Sequence, residues 1–539
     1  MKWYEKAVFY HIYPLGLCGC PFENDGATSE NHFKQLNDWT THIDKLGCNA
    51  IYIGPLFESA THGYDTTDYK KVDRRLGTNA DFKEYVKNCH DKGIHVIVDG
   101  VFNHVGRKFF AFEDLKQNRE NSRYKDWFCN VNFYNNNEYN DGFSYDNWGG
   151  YNVLVKLNQR NPEVKNYIFD IIRYWVQEFD IDGIRLDAAD VLDHDFMHEM
   201  RNVANTVKED FWLMGEVIHG DYSQWANDQT LHSVTNYELH KALYSGHNDH
   251  NYFEIAHSIQ RSLTINGNTR LYTFVDNHDV ERIATKLSNK ANLIPVHILY
   301  YGLPGIPSIY YGSEFGIEGK KEQNSDASLR PALNLSDYAT AYTENSLTKL
   351  ICKLGMIHKQ FPELTEGRYE QLYLTNRQFA YGRILDDSAI VVAVNNDENP
   401  AECWIRLPLD AKQAVDLLQA DISEPSPEEL SALENEQKEA LLTKGTLLLT
   451  TLKEDSSHLQ DVLTAFEDAL TEKDILLASK KQAELEQFSK ILSEHITQTT
   501  LSLETPKPTI SSNTQVRIEN GQLVVKLDAN SGAMIHLTK

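Results

Sequence analysis

At 539 residues the chain is too long for one small core, and its 78 acidic against 52 basic side chains leave a formal net charge of -26. So acidic a surface argues against nucleic acid and anionic membranes as partners. The N-terminal stretch MKWYEKAVFYHIYP has charges and aromatics where a secretory leader needs an apolar core, and no apolar run is long enough to span a bilayer, so a soluble, cytoplasmic protein is expected. Seven scattered cysteines, Cys18, Cys20, Cys48, Cys89, Cys129, Cys352 and Cys403, lack the paired spacing of a zinc site and read as free thiols in a reducing compartment.

From Ala7 to about Gly312, short β-branched and aromatic runs alternate with amphipathic helical stretches. The predicted strands are Val8 to Tyr13, Ala50 to Gly54, His95 to Asp99, Gly183 to Asp187, Phe211 to Glu216, Ser233 to Tyr237, Leu271 to Asp276 and Pro307 to Tyr311. Between them lie helical stretches at His32 to Leu46, Asn79 to Lys92, Pro162 to Phe179 and Ile283 to Tyr300, and one more, Leu347 to Lys359, follows the last strand. Eight such units predict an α/β chain folded as a (β/α)8 TIM barrel, with its site at the carboxyl ends of the strands.

The barrel is expected over 1–103 and 158–365, with an inserted subdomain after strand three at 104–157, rich in Asn, Tyr, Phe and Trp. Phe143, Tyr145, Trp148 and Tyr151 in that insert read either as its own core or as flat platforms for sugar rings. Residues 366–539 read as a C-terminal antiparallel β domain, with strands near Phe379 to Ile384, Ala389 to Asn395, Cys403 to Leu407, Val516 to Ile518, Leu523 to Leu527 and Ala533 to Leu537. Helices interrupt it over about 424–515. There Ser426-Pro427-Glu428-Glu429 has the form of a helix start, and Leu459, Val462, Leu463, Phe466 and Leu470, then Leu485, Phe488, Leu492 and Ile496, keep helical spacing. An apolar stripe of this kind packs within its own domain or forms a homo-oligomer contact.

The chemistry centres on FDIDGIRLDAAD, Phe179 to Asp190. Period-two alternation places Arg185 and Asp187 on one face of the fourth strand, where the cation can orient the carboxylate as a nucleophile. With the strands placed, Asp99, Asp187, Glu216 and Asp279 all arrive at one rim. Four mutually repelling acids cost stability unless a cation or chemistry uses them. Two carboxylates across an acetal, one nucleophile and one proton donor, are what retaining glycoside hydrolysis requires. Their pKa values then have to be held apart, and Arg185 beside Asp187 is expected to keep that carboxylate ionised.

In DGVFNH at Asp99 to His104, GIRLDAAD at Gly183 to Asp190, GEVIH at Gly215 to His219 and FVDNHD at Phe274 to Asp279, the chain resembles the α-amylase family, glycoside hydrolase family 13. The resemblance implies that Asp187 is the nucleophile, Glu216 the general acid/base and Asp279 the third carboxylate, which binds sugar hydroxyls. It also implies substrate-binding roles for His104, His278, Arg185, Asp326 and Arg330, and, in HGYDTTDY, a stacking platform at Tyr64 with a nearby carboxylate at Asp65. Asp99 is expected deeper, supporting Arg185 and Asp279. The segment LVKLNQRNPEVKNY is similar to one in neopullulanases and cyclomaltodextrinases. Two departures set this sequence apart from those enzymes: their additional N-terminal β domain is not in it, and Ile218 stands where they commonly have tryptophan. No metal or other cofactor is expected. Asn103 matches a family calcium ligand, but Asp190-Val191 replaces the Lys-His pair of calcium-binding α-amylases.

The expected function is retaining hydrolysis of α-1,4, and some α-1,6, glucosidic bonds in maltodextrins or cyclodextrins. The alternatives are a transglycosylase or exo-acting α-glucosidase of the same family, or, in another class, a non-catalytic glucan-binding scaffold. The scaffold reading fits less well, because the chain lacks none of the acids.

Overall fold

Eight short runs of β-branched and aromatic residues form one parallel sheet: β1 Phe9–Ile12, β2 Ala50–Ile53, β3 His95–Gly100, β4 Gly183–Leu186, β5 Trp212–Gly215, β6 Ser233–Val234, β7 Tyr272–Phe274 and β8 Ile306–Tyr310. The computed structural model describes residues 1–27, 31–267, 269–323, 325–423, 458–469, 475–498, 508–511 and 516–539, with isolated positions at 439, 443, 446, 450 and 471. The strand order is β6-β5-β4-β3-β2-β1-β8-β7. A parallel bridge from Thr235 to Tyr272, with the Asn236 N–H donating to the Tyr272 carbonyl at 2.9 Å, joins the two ends into a barrel. Each strand overlaps its predicted run, because a strand covered by side chains on both faces reads as a continuous apolar segment, although Tyr237, expected in the sixth strand, opens a helix instead.

Register sets the rim. β3 pairs with β4 so that Asp99 lies opposite Arg185, and β5 pairs with β4 so that Gly215 lies opposite Leu186. Asp187 and Glu216 are therefore the first residues beyond two adjacent strand ends. Their N–H groups continue the ladder onto the carbonyls of Gly100 and Leu186.

Helices cover the barrel: α1 Phe33–Lys45, α2 Asn79–His90, α3 Pro162–Phe179, α4 His194–Val207, α5 Tyr237–Asn248, α6 Tyr252–Asn266, α7 Leu293–Gly302 and α8 Ser346–Gln360. α3 keeps its predicted limits because both ends are marked in sequence. The Asn161 side chain accepts from the Glu163 N–H, Pro162 opens the first turn, and Asp180 closes the helix in the left-handed region. The helix expected over Ile283 to Tyr300 is instead two pieces, Ile283–Lys286 and α7. Leu287 is extended there, Asn248 donates from its amide to the Lys286 carbonyl, and Asn289 caps the turn that leads into α7. Apolar spacing continued through the break and hid it.

Between β3 and α3 the chain forms a small antiparallel sheet, in which Tyr151–Lys156 pairs with both His104–Gly106 and Asn147–Trp148, and a helix, Phe110–Asn118. Beyond α8, two antiparallel sheets of five and three strands pack face to face. Val391, Ala393, Cys403, Ile405, Val525 and Ile535 lie in the core between them. This β domain grips the end of α7: the Tyr381 hydroxyl donates to the Leu299 carbonyl, and Arg383 Nη1 donates to the Gly302 carbonyl at 2.9 Å.

Residues 421–511 form a second compact unit. In it Asp421–Ser423 pairs antiparallel with Thr509–Ser511, and the described helices run over 458–469 and Ile475–Gln498. Val462 and Ala469 are buried. The expected helix start at Ser426-Pro427-Glu428-Glu429 lies outside the described residues. Among the described residues, no helix is long and apolar enough to cross a membrane.

Candidate active site

Arg185 lies at the centre of the rim, 3% exposed. Its Nη1 donates to Asp99 Oδ1 at 2.8 Å and to Asp187 Oδ1 at 2.9 Å, and its Nη2 lies 3.0 Å from Glu216 Oε2. One guanidinium thus holds acids from three consecutive strands of the sheet. Glu216 Oε2 also accepts from the Ala188 N–H at 3.0 Å, a contact made possible by the left-handed backbone of Ala188 directly after Asp187. Asp99 is pinned from its other side by the Tyr52 hydroxyl at 2.8 Å and the Tyr64 hydroxyl at 3.2 Å, both donating to Oδ2. Gly54 backs this contact closely: a Cβ there would sit 2.6 Å from Asp99 Oδ2.

A second cation organises the other wall. Arg330 donates from Nη2 to Asp279 Oδ1 at 2.9 Å and to Asp326 Oδ2 at 3.1 Å, and its guanidinium lies over the Tyr13 ring at 4.6 Å. His278 Nε2 is 3.0 Å from Asp279 Oδ2 and hydrogen-bonds the Tyr64 hydroxyl. Asp99 therefore supports Arg185 directly and reaches Asp279 only through Tyr64 and His278.

The electrostatics depart from the expected division of labour. Burial, reinforced by the charges of Glu216, Asp99 and Asp279, pushes Asp187 well above the ordinary carboxylate range against the pull of Arg185. Arg185 serves Asp187 and Glu216 alike and does not by itself keep Asp187 ionised. Asp279 goes the other way: burial opposes its charge, but His278 and then Arg330 hold it well below the usual range. Burial also pushes His104 down to about 3, so its ring is neutral.

These groups line a cleft of about 1010 Å³ whose walls include Tyr13, Tyr64, His104, Asp187, Glu216, Asp279, Asp326 and Arg330. His104 Nε2 is buried without a protein partner, a polar atom suited to a sugar hydroxyl. Of the insert's aromatics, Phe143 and Tyr145 belong to its buried core, while Trp148 and the 65% exposed Tyr151 face the cleft. Three expected substrate contacts, Arg185, Asp65 and His278, sit behind the wall. Asp65 is fully buried and accepts from the Thr61 N–H and hydroxyl at 3.1 and 2.8 Å, so it shapes the loop that carries Tyr64. His278 is 1% exposed and acts through Asp279 and Tyr64.

Sequence reading missed Tyr13, just beyond β1, and Tyr52, within β2, which hold Arg330 and Asp99. Their places in or beside barrel strands carried the signal, but tyrosine in an apolar strand reads first as core. Asn103 Oδ1 is buried without a partner. Among the described residues, no group of three or more His, Cys, Asp or Glu side chains is placed to hold a metal ion.

A barrel whose strand ends bring four carboxylates and two arginines to a deep cleft is the framework of a glycosidase. Residues 33–345 match the family model described as alpha amylase, catalytic domain, and the chain belongs to the α-amylase family. It is 31% identical over 420 residues to the cyclomaltodextrinase of Thermoanaerobacter pseudethanolicus, covering 73% of this chain and 71% of that one. It is 29% identical to neopullulanase 2 of Thermoactinomyces vulgaris, covering 76% and 72%. The crystal structure of an Anoxybacillus α-amylase matches 100% of this chain and 99% of its own with a TM-score of 0.70; at 21% identity the likeness is one of fold.

Proposed function

We propose that the protein is a retaining α-glucan hydrolase that cleaves α-1,4 and α-1,6 glucosidic bonds in maltodextrins or cyclodextrins, with Asp187 as nucleophile and Glu216 as general acid/base. The observation that carries this reading is the shared Arg185 contact, which sets two carboxylates from adjacent strand ends side by side in the cleft. The cyclomaltodextrinase and neopullulanase names of the relatives support the choice of substrate. Seven free thiols fit a reducing compartment, so the proposal includes a cytoplasmic location.

In the first step Asp187 attacks the anomeric carbon while Glu216 gives its proton to the departing glucosidic oxygen. The positive charge that develops on the sugar ring favours ionised Asp187. Asp279, kept anionic by His278 and Arg330, accepts hydrogen bonds from sugar hydroxyls as the ring flattens. In the second step Glu216 takes a proton from water, and the resulting hydroxyl displaces Asp187, restoring the first configuration.

A digest of maltodextrin, pullulan and cyclodextrin with products resolved in time tests the assignment, together with proton NMR of the first sugar released. Maltooligosaccharides released initially as α-anomers are expected. Initial β-anomer, or no cleavage of any of the three, would overturn it.

A further inference from the structure

Phe22 is 63% exposed, yet it lines the cleft. A phenylalanine this exposed adds little to any core, and its aromatic neighbour is His62, with centroids 6.4 Å apart. His62 in turn lies 6.1 Å from Tyr64. Three rings therefore step outward from the catalytic carboxylates along one wall, with Phe22 outermost.

The backbone that presents Phe22 is fixed from below by a buried charge pair. Arg75, 3% exposed, donates from Nη1 to the carbonyls of Pro21 and Phe22 at 2.9 and 2.8 Å. Its Nε and Nη2 are held by Asp73 at 2.8 and 2.7 Å, and Asp73, 1% exposed, also accepts from the Ser59 hydroxyl at 2.9 Å. On the far side, Asn24 donates from its N–H to the Ala60 carbonyl and from its amide to the Ser59 carbonyl. Burying a guanidinium and a carboxylate is costly unless both are fully bonded. Here that network ends on the two carbonyls that orient an exposed aromatic ring. An anchored apolar face beside a row of polar groups suits the flat, CH-rich face of a pyranose.

We infer that Phe22 is a stacking platform for a glucose unit beyond the one at the cleavage point, on the glycone side, and that it sets a preference for longer substrates. The inference rests on the proposed α-glucan activity. The side follows from the ring series, which starts at Tyr64, linked through His278 to Asp279 and Arg330, whereas the leaving group belongs with Glu216.

The test uses the full chain with Phe22→Ala and Phe22→Trp. In Phe22→Ala, the ratio of kcat/KM for 4-nitrophenyl α-maltotrioside to that for 4-nitrophenyl α-glucoside should fall tenfold or more. The change should appear mainly in KM, and Phe22→Trp should restore the ratio to within about threefold. Calorimetric binding of maltotriose to Asp187→Asn protein, with and without Phe22→Ala, reads the same contact without turnover and should show a tenfold weaker Kd. Hydrolysis by the parent chain with an unchanged ratio and unchanged Kd would overturn the platform. Absence of hydrolysis in the parent chain with the Kd change intact would instead overturn the hydrolytic reading and leave Phe22 as a glucan contact.

Discussion

Arg185 and Glu216 meet at 3.0 Å, Nη2 to Oε2, so the guanidinium that spacing assigns to Asp187 also holds the partner acid. Arg185→Lys keeps the charge but loses the planar fork that reaches Asp99, Asp187 and Glu216 together. A drop in kcat of about a hundredfold or more is expected, with the pH optimum displaced. A variant with the parent's pH profile and kcat would show that lysine reproduces the contact.

Asp187→Asn should abolish turnover, by well over about a thousandfold, because it removes the nucleophile and little volume. It should also stabilise the fold. Burial gives Asp187 a higher proton affinity folded than unfolded, so its contribution falls as pH rises above the ordinary carboxylate range. Removing that charge near neutral pH should raise Tm by about 2 °C, measured by calorimetry. A lower Tm at pH 7 would mean that Arg185 outweighs burial.

Glu216→Gln removes the proton donor while leaving a group able to accept from Ala188. The first step should survive with aryl glycosides whose leaving groups need no proton and be lost with maltotriose. Burst kinetics on a dinitrophenyl glycoside against maltotriose reads the difference. Equal loss on both would remove Glu216 from the acid role.

Gly54→Ala places a Cβ against Asp99, whose Cγ and Cβ would each lie 2.8 Å away. Asp99 is held by Arg185, Tyr52 and Tyr64, so it has little room to yield. A loss of stability of about 1–3 kcal/mol is expected, with kcat lowered tenfold or more through Arg185. Denaturant titration and steady-state kinetics check both; a stable variant with unchanged kcat would show that the Asp99 contact is dispensable.

His90 answers to pH at the opposite end of the barrel. Its Nε2 is 2.8 Å from Asp182 Oδ2 and its Nδ1 3.3 Å from Asp180, while Lys208 approaches both aspartates. The Asp182 hydrogen bond raises the His90 pKa against partial burial and Lys208. A raised histidine contributes stability that is full below its unfolded value of about 6.5 and is lost as pH rises through the folded value. The unfolding free energy lost in His90→Gln should therefore be largest near about pH 6 and small by about pH 9. A difference independent of pH would assign His90 a packing role only.

Replacing residues 424–508 with a short Gly/Ser bridge should leave maltotriose turnover unchanged. The unit at 421–511 carries none of the residues assigned to the site, and its described strands Asp421–Ser423 and Thr509–Ser511 pair so that Asp421 lies opposite Ser511. Sedimentation of intact and shortened chains tests whether the apolar helices carry a homo-oligomer contact, and identical masses would remove that reading.

Sequence by itself determined the eight strands, the β domain, and the identity of Asp99, Asp187, Glu216 and Asp279 as rim acids. Strand alternation and burial on both faces are local properties, and Arg185 and Asp187 are neighbours by spacing alone. Tertiary structure decided the rest. Tyr64 and Asp65 are adjacent in the chain, yet only Tyr64 faces the cleft, because the loop turns between them and Asp65 is used to bond Thr61. Arg185 reaches Glu216 through strand register, a relation across 31 residues that no local pattern encodes. Phe22 looks like any core phenylalanine until Arg75, from a distant segment, fixes its carbonyl and leaves its ring in the cleft. Burial disfavours the charge on both Asp187 and Asp279, yet Asp187 is raised and Asp279 lowered, because the field at a carboxylate is the sum over every charge that folding brings near it.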